Sequence, residues 1–403
     1  LDAVGHSEGD DIMLVLAHEL KNRRLDNGSQ FHIGSGRGRE RFLFGGDRPQ
    51  NLDDLPFAAW DLLHEDVDGK PILKWYLKTP VWGLAANNSS ATPFTMTRSL
   101  TTVSSRGCPF KCNFCFRGGQ GERNYGMRSA ANLVAEAKWL IQNYGIDFLG
   151  FPDDNFAVDK KRIEQLPEFF AELNGLRWGT HTRLDEADER AFYMAQAGCV
   201  YIGFGAESAS ARTLEAMGKG GFILRPRGSK ENQLVEINGY RFPVTMVNGI
   251  RTTREAGIHA NCTCIMAYPE EQLEDLKTSV AFILWQKSLM TQGLTPGTPE
   301  YALAEAAVNQ KMFVATAYPG TEMCRHLKVK RLLHEHFGMS FKDGGDPVVD
   351  EALRQYVLEL DDATKTMHGT DGHPLNFGEM PDDQFLQARE YVNSGQIDKI
   401  LNM

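Results

Sequence analysis

Residues 104–116 read Ser-Ser-Arg-Gly-Cys-Pro-Phe-Lys-Cys-Asn-Phe-Cys-Phe and place Cys108, Cys112 and Cys115 in the pattern C-x-x-x-C-x-x-C. Thiolates are soft ligands, and four of them hold an iron–sulfur cluster in ordinary electron-transfer proteins. Three thiolates leave one iron without a protein ligand, and a substrate or cosubstrate binds at such an open position. The spacing therefore predicts a site where a metal cluster and a small molecule meet.

This loop resembles that of the radical S-adenosylmethionine (SAM) superfamily, which implies a 4Fe-4S cluster held by the three cysteines. The resemblance also implies that SAM binds the open iron and that a low-potential donor, such as ferredoxin or flavodoxin, supplies an electron that cleaves it to methionine and a deoxyadenosyl radical. Two alternatives stay open, a zinc site without its fourth ligand and three buried structural cysteines. Zinc sites usually pair C-x-x-C with a second pair, which this sequence lacks.

The composition is that of a globular protein, with 42% hydrophobic and 24% charged residues among 403. A net charge of −10 does not suggest a nucleic-acid partner. No apolar run approaches the length of a membrane span, and no signal peptide opens the chain. Seven cysteines, an odd number, fit a reducing compartment better than a disulfide framework. We therefore expect a cytoplasmic protein that works under anaerobic or oxygen-protected conditions.

From residue 99 onward the sequence alternates strand, loop and helix. We predict strands over residues 101–105, 146–151, 177–183, 200–206, 259–267 and 311–317. Six such units predict an α/β fold, a partial six-stranded (β/α) barrel with its active site at the carboxyl ends of the strands. We place the barrel at residues 99–325, with a locally basic inserted hairpin at about residues 220–243. A helical C-terminal cap over residues 326–403 is expected to shape the substrate cavity.

Residues 1–57 resemble the end of the cobalamin-binding domain that precedes the cysteine motif in one branch of the superfamily. That branch reads Gly-Glu-Gly-Glu and later Leu-Asp-x-Leu-Pro-x-Pro, whereas residues 7–10 read Ser-Glu-Gly-Asp and residues 52–58 read Leu-Asp-Asp-Leu-Pro-Phe-Ala. We expect a truncated α/β segment with a helix over residues 11–22 and two short strands within residues 31–46. Residues 58–98 are read as a connector. An unrelated segment that packs on the barrel is the alternative, and cobalamin is a candidate cofactor on the resemblance alone.

The resemblance also assigns residues to SAM. After the second strand, the superfamily holds the methionyl amino group with the segment that here reads Pro152, Asp153, Asp154 and Asn155, although two acids before a helix are also a routine helix cap. The sequence does not separate the two acids.

After the fourth strand, residues 203–208 resemble the branch's Gly-x-Glu-Ser stretch, which implies that Glu207 and Ser208 contact the ribose or the amino-acid portion of SAM. Ser208 is also a candidate helix N-cap. Phe114 is expected beside the adenine. Tyr318 and Pro319 match the family's Tyr-Pro-Gly-Thr after the sixth strand.

Two further residues are candidates for chemistry. Arg183 ends the third strand, where it is a candidate ligand of the SAM carboxylate or of an anionic substrate, with a surface salt bridge as the alternative. Cys324 follows the sixth strand and is a candidate donor or acceptor of hydrogen or methyl, with simple packing as the alternative. Cys262 and Cys264 share one face of the fifth strand, which we expect to be the barrel interior.

These features predict a radical SAM enzyme that abstracts hydrogen from an unactivated carbon of a small-molecule or peptidyl substrate. Cobalamin-dependent methyl transfer is favoured over oxidative cyclisation or rearrangement by analogy with the branch. A non-catalytic iron–sulfur subunit, which passes electrons or acts as a scaffold, is the alternative from a different class.

Overall fold

The computed structural model describes residues 4–6, 42–44, 51–63, 68–70, 72–78, 98–116, 125–173, 175–310, 312–360 and 366–403, and positions 9, 10, 13, 14, 17 and 21. At the N-terminal end, β1 (Val4–His6) and β2 (Phe42–Phe44) pair in parallel. The described positions between 9 and 21 are helical, so this segment has a β-α-β order. The rest of the predicted helix at 11–22 and most of the stretch 31–46 lie outside the described residues.

Ten further strands follow along the chain: β3 (Ser99–Thr101), β4 (Ser105–Arg106), β5 (Gly126–Met127), β6 (Phe148–Phe151), β7 (Arg177–Arg183), β8 (Cys199–Glu207), β9 (Leu234–Ile237), β10 (Tyr240–Pro243), β11 (His259–Met266) and β12 (Met312–Val314). Six of them form one parallel sheet in the order β3-β6-β7-β8-β11-β12. The sheet curls into a half-barrel. The predicted fold class is confirmed.

The described helices are Ile72–Lys78, Ala130–Tyr144, Lys160–Phe170, Arg190–Gln196, Ala211–Ala216, Gly220–Leu224, Val244–Glu255, Leu273–Thr291, Pro299–Ala307, Glu322–Arg325, Leu327–Phe337, Glu351–Glu359 and Asp382–Asn393. Helix Ala130–Tyr144 shows why they form where they do. Ser129 caps its first turn by accepting a hydrogen bond from the Asn132 amide, and Gly145 ends it in the left-handed conformation. Its buried apolar face packs on the sheet.

The first barrel strand differs from the prediction. It ends at Thr101, whereas residues 101–105 were expected to be extended. Beyond it the chain leaves the sheet, because the side chains of Ser104 and Ser105 are bonded to Asp153, and Ser105 joins β4 instead. The third strand, Arg177–Arg183, is as predicted.

The segment before the barrel is fastened to it at residues 51–53. The amide of Leu52 donates a hydrogen bond of 3.0 Å to the carbonyl of Met127 in β5. The Asp53 carboxylate accepts a bond of 2.8 Å from the amide of Ser129, the cap of the first barrel helix. The partial Leu-Asp-Asp-Leu-Pro motif therefore runs along the edge of the barrel.

The inserted segment contains a true hairpin over a shorter range than expected. β9 and β10 pair antiparallel, whereas residues 220–224 form a short helix. The positive charge of Arg225 is paired with Glu215. Part of the predicted basic character is therefore neutralised within the chain.

The hydrophobic core lies between the sheet and its helices, around Trp178, Phe151 and Phe156. The C-terminal residues Phe385 and Ile397 are buried in the same core, so the end of the chain packs on the barrel rather than beside it. A second cluster forms beyond the ends of β11 and β12. Within the described ranges, no helix has both the length and the apolar character needed to cross a membrane.

Candidate active site

A cavity of about 400 Å³ lies at the carboxyl ends of the parallel strands. The cysteine loop forms one wall, and the other walls come from strand ends and from the turn after β8. The lining residues are Gly107, Cys108, Cys112, Phe114, Cys115, Phe116, Asp154, His181, Thr182, Arg183, Gly205, Glu207, Lys219 and Thr263. All three predicted cluster ligands therefore face the same space as the polar groups of four barrel units.

The beginning of the cysteine loop is held by Asp153. Its buried carboxylate accepts hydrogen bonds from the amide of Ser104 at 2.8 Å, from the Ser104 hydroxyl, and from the Ser105 hydroxyl at 2.6 Å. Burial raises the pKa of this carboxyl group, while Arg162 and the two serines oppose that change. Asp153 is thus a positioning residue of the loop.

The middle of the loop is held by Asn113. Its amide donates to the carbonyl of Met217 at 2.8 Å, and its side chain donates to the carbonyl of Ala216 at 2.8 Å. Its own carbonyl accepts from the amide of Met323 at 2.9 Å. Gly218 has φ +62°, and a Cβ there would lie 2.8 Å from the Asn113 side-chain oxygen, so only glycine permits this approach.

The three cysteines suit an iron–sulfur cluster. They are free thiols on one wall of the cavity. Partial burial, together with the nearby Cys112 and Cys108, raises the pKa of the Cys115 thiol to about 11. In the described part of the chain, no three His, Cys, Asp or Glu side chains surround a single-ion position. A 4Fe-4S cluster would bind each thiolate through a separate iron atom, so the three sulfurs would not need to surround one ion position.

Arg183 lies against the cysteine loop. Its guanidinium group stacks over the Phe110 ring at 3.9 Å and forms a two-pronged ion pair with Asp185, with N–O distances of 2.9 and 3.2 Å. Its remaining nitrogen, Nη1, donates to the Cys112 sulfur at 3.8 Å. Each nitrogen of Arg183 already has a partner. The predicted surface salt bridge is instead a buried one, although the side chain still lines the cavity.

The four residues after β6 lie in different environments. Asp154 is exposed and lines the cavity, whereas Asp153 is buried beneath the loop and Pro152 is exposed outside the lining. Asn155 is fully buried, where its side-chain oxygen accepts from the Thr182 hydroxyl at 2.6 Å and its amide donates to Glu186. Of the four predicted contacts, Asp154 is the one whose side chain reaches the cavity.

Glu207 also reaches the cavity, at the end of β8. Its backbone is in the left-handed region with φ +66°, which is costly for a residue with a side chain and is found mainly at functional sites. Its carboxylate lies 3.5 Å from the ammonium of Lys219. Gly205 leaves the space for this pair, since a Cβ there would lie 2.7 Å from the Glu207 carboxylate.

Ser208 does not line the cavity, so its contact with SAM stays a prediction, whereas its predicted role as a helix N-cap is wrong. Its hydroxyl is fully buried, lies 3.0 Å from the hydroxyl of Ser279 and accepts a bond from the amide of Ser210. Ser210, not Ser208, is the N-cap of the next helix. The strand alternation explains the difference, because Glu207 and Ser208 point to opposite sides as the chain leaves the sheet.

Aromatic residues of the cysteine loop form part of the cavity wall. Phe114 lines the cavity, as expected of an adenine neighbour, and packs edge-to-face on Tyr268 at 6.3 Å. Tyr318 and Pro319 do not line it. Their turn approaches through Gly320, where a Cβ would lie 3.8 Å from Phe116. Phe116 is therefore the residue that separates this turn from the cavity.

The remaining cysteines do not reach the cavity. Thr263 lines it, so Cys262 and Cys264 on either side of Thr263 face the hydrophobic core, and their expected place in the barrel interior is wrong. Cys324 is buried in the second apolar cluster, and burial raises the pKa of its thiol to about 12. A thiol closed off in this way is not placed for hydrogen or methyl transfer.

Sequence reasoning assigned no role to the polar lining residues His181, Thr182 and Thr263. Burial lowers the pKa of His181 to about 4, so its ring is neutral near pH 7. Lys219, a further lining residue, was likewise not named as a ligand. Its place after the turn at Gly218 was the signal that could have identified it.

Comparison with known proteins agrees with this geometry. Residues 102–283 match the family described as Radical SAM superfamily. The chain is 27% identical over 289 residues to an uncharacterized methyltransferase of Pyrococcus horikoshii, covering 70% of this chain and 49% of that protein. It is 26% identical over 303 residues to the anaerobic magnesium-protoporphyrin IX monomethyl ester cyclase of Cereibacter sphaeroides, covering 72% of this chain and 42% of that one. The chain thus spans about half the length of these curated relatives.

A similar fold occurs in the radical S-adenosylmethionine methyltransferase TsrM from Kitasatospora setae, solved with tryptophan substrate and a SAM analogue. The TM-score is 0.53 at 15% identity, with 92% of this chain and 62% of that chain covered. The likeness of the folds, the three cysteines on one cavity wall and the family match lead to one conclusion: residues 102–283 of this chain are a radical SAM domain.

Proposed function

We propose that this chain is the catalytic part of a radical SAM enzyme that abstracts hydrogen from an unactivated carbon and serves in methyl transfer. The observation that carries the proposal is the shared cavity. Cys108, Cys112 and Cys115 face the same space as polar side chains from β7, β8 and β11. A 4Fe-4S cluster on these thiolates would supply one electron to SAM, and cleavage of SAM would supply the deoxyadenosyl radical.

The chain's own residues would bind and orient SAM beside the cysteines. Asp154 offers an exposed carboxylate to the methionyl ammonium group. Glu207 offers acceptors to the ribose hydroxyls, and Lys219 is a cavity cation suited to the SAM carboxylate. These two charges partly neutralise each other across 3.5 Å, so SAM would exchange this ion pair for one between Lys219 and its own carboxylate and for charge-assisted hydrogen bonds from its ribose hydroxyls to Glu207.

Two aromatic residues, Phe114 and Phe116, would exclude water from the cavity. Phe114 lies beside the cysteines and is braced by the buried Tyr268. Phe116 is half exposed at the mouth and approaches the turn at Gly320. Together they give an apolar surface on which an adenine can stack.

Methyl transfer is supported by the name of the Pyrococcus horikoshii relative. Cobalamin as the methyl carrier rests on the partial motifs of residues 1–57, and none of the described side chains in that segment indicates a corrinoid site, so the cobalamin step stays outside the residue roles given above. Oxidative cyclisation is the second candidate, since the Cereibacter sphaeroides relative bears that name. A reduced ferredoxin or flavodoxin would be the electron donor.

The test is anaerobic reconstitution of the chain with iron and sulfide, followed by incubation with SAM and a low-potential reductant. We expect about four irons per chain, deoxyadenosine by mass spectrometry, and a change in the electron paramagnetic resonance (EPR) spectrum of the reduced cluster when SAM is added. The last readout needs no substrate. S-Adenosylhomocysteine that depends on added cobalamin would support methyl transfer, and its absence beside deoxyadenosine would favour cyclisation.

The control compares two cysteines. Cys112→Ala should abolish the cluster and SAM cleavage together, whereas Cys199→Ala, in the core away from the cavity, should leave both intact. A reconstituted cluster with no spectral response to SAM would overturn the enzyme proposal and favour an electron-transfer or scaffold role.

A further inference from the structure

The position of Arg183 in the sequence predicts that it binds SAM. Its contacts are instead with the cysteine loop, which would hold the cluster. Its guanidinium group is 7% exposed and lies in a plane fixed on one side by the Phe110 ring. Two of its nitrogens are occupied by Asp185 in a side-on pair. The third, Nη1, lies 3.8 Å from the sulfur of Cys112, within the range for a hydrogen bond to sulfur.

The neighbouring residues hold Arg183 in this position. Phe110 belongs to the cysteine loop itself, between the first and second cysteine. Asp185 is nearly inaccessible and is two residues along the chain from Arg183. A planar guanidinium group that is stacked and paired in this way loses little further freedom when it donates to a third partner. The contact with the sulfur is therefore built into the loop and does not depend on SAM.

A buried positive charge with a hydrogen bond to a cluster thiolate has a defined electrostatic effect. Reduction adds one negative charge to an iron–sulfur cluster, and a nearby donor or cation stabilises the reduced form more than the oxidised form. The reduction potential therefore rises. Asp185 opposes this effect because its carboxylate, paired with the guanidinium group at 2.9 and 3.2 Å, partly neutralises the positive charge that acts on the sulfur. The pair as a whole sets the field at Cys112.

We propose that Arg183 and Asp185 form a positioning pair that sets the reduction potential of the cluster through the Cys112 sulfur, with Arg183 raising the potential and Asp185 lowering it. The inference rests on the proposed function in requiring a cluster on these cysteines. It goes beyond that function because it assigns Arg183 a role at the cluster and not in SAM binding.

The experiment is an EPR-monitored redox titration of the reconstituted chain without SAM. Arg183→Met should lower the midpoint potential, and Asp185→Asn should raise it. A tenfold change in the relative stability of the reduced form corresponds to about 59 mV for a one-electron couple, and we expect a shift of roughly this size in each variant. Shifts of opposite sign in the two variants would exclude a general loosening of the loop. Loosening would admit water to the cluster, and water would raise the potential of both variants.

A matched control exists on the same stretch of chain. Arg190 forms a two-pronged pair with Asp188, at 2.7 and 3.0 Å, but does not line the cavity. Arg190→Met should leave the potential unchanged. If Arg183→Met fails to hold iron, Asp185→Asn still tests the pair.

The two levels of failure are distinguishable. Absence of a cluster in the unaltered chain would contradict the proposed function itself. A normal cluster whose potential is unchanged in both variants would overturn the inference. If Arg183→Met weakens the EPR response to SAM at an unaltered potential, Arg183 binds the SAM carboxylate and the inference is wrong.

Discussion

Asp153 accepts a hydrogen bond of 2.8 Å from the amide of Ser104, a residue 49 positions earlier in the chain. This contact joins the end of β6 to the entrance of the cysteine loop. The carboxylate also satisfies two hydroxyl groups, so its loss would leave several buried donors without an acceptor.

Asp153→Ala should therefore destabilise the loop by about 1–3 kcal/mol and lower the iron bound after reconstitution. The measurement is iron content together with the thermal unfolding midpoint. Asp153→Asn, which keeps an acceptor for the Ser104 amide, should recover part of the loss. Equal iron content in the alanine variant and the unaltered chain would contradict the anchoring role.

Asp154→Ala should have the opposite profile. Its side chain is exposed in the cavity, so the unfolding midpoint and the iron content should stay the same. The loss of a charged partner for the methionyl ammonium group should weaken SAM binding by roughly tenfold or more. Titration of the EPR response with SAM measures this affinity. A large fall in iron content with unchanged SAM affinity would show that the roles of the two neighbouring acids are reversed.

Gly205→Ala should act on Glu207 without disturbing the fold. The new methyl group would meet the Glu207 carboxylate at 2.7 Å and the Lys219 ammonium at 3.4 Å. Because the carboxylate ends a flexible side chain, it can move away at little cost in stability. We expect weaker SAM binding at an unchanged unfolding midpoint. Gly344→Ala, where a Cβ meets nothing within 4 Å, is the control and should bind SAM normally.

Glu271 should make the stability of the protein depend on pH. Its carboxyl group is completely buried, and burial raises its pKa from 4.5 to about 8. The folded state then holds a proton that the unfolded state releases above about pH 4.5. Stability should fall as pH rises from about 4.5 to about 8, by up to about 1.4 kcal/mol per pH unit, and then level off.

Unfolding midpoints at pH 5, 6.5 and 8 test this dependence. Glu271→Gln keeps an acceptor for the Ala267 amide and should flatten the profile, with its largest gain at pH 8. Glu274→Gln, at an exposed position on the helix that follows, should keep the profile of the unaltered chain. The same slope in all three proteins would contradict the assignment.

The sequence predicts the sheet and the cluster ligands because both depend on local patterns. Alternating strand and helix signals locate β7 exactly as it lies, and the cysteine spacing is contiguous. The direction of a single side chain at a strand end is another matter. Whether Asp153 or Asp154 faces the cavity depends on where the chain leaves the sheet, which Ser104 and Ser105 decide from a distant part of the sequence.

The same limit explains the cysteines of β11. Alternation correctly places Cys262 and Cys264 on one face, but the pattern alone does not say which face is the interior. Thr263 settles that in the folded chain. Arg183 is a further case, since its partners Asp185 and Phe110 are visible in the sequence, whereas their convergence on a sulfur requires the three-dimensional arrangement.

Among the residues that the structure describes, β3 and β12 are the edge strands of the half-barrel and are not hydrogen-bonded to each other. The cysteine loop leaves from the first edge, and Asn113 within it bonds to Met323, beyond the second. The loop therefore links the two edges of the sheet across the gap that the remaining strands of a full barrel would fill. A cluster bound to this loop would restrict the motion of the segment that makes this contact. The order of the proposed cluster site and the contact between the two edges of the half-barrel therefore depend on the same loop.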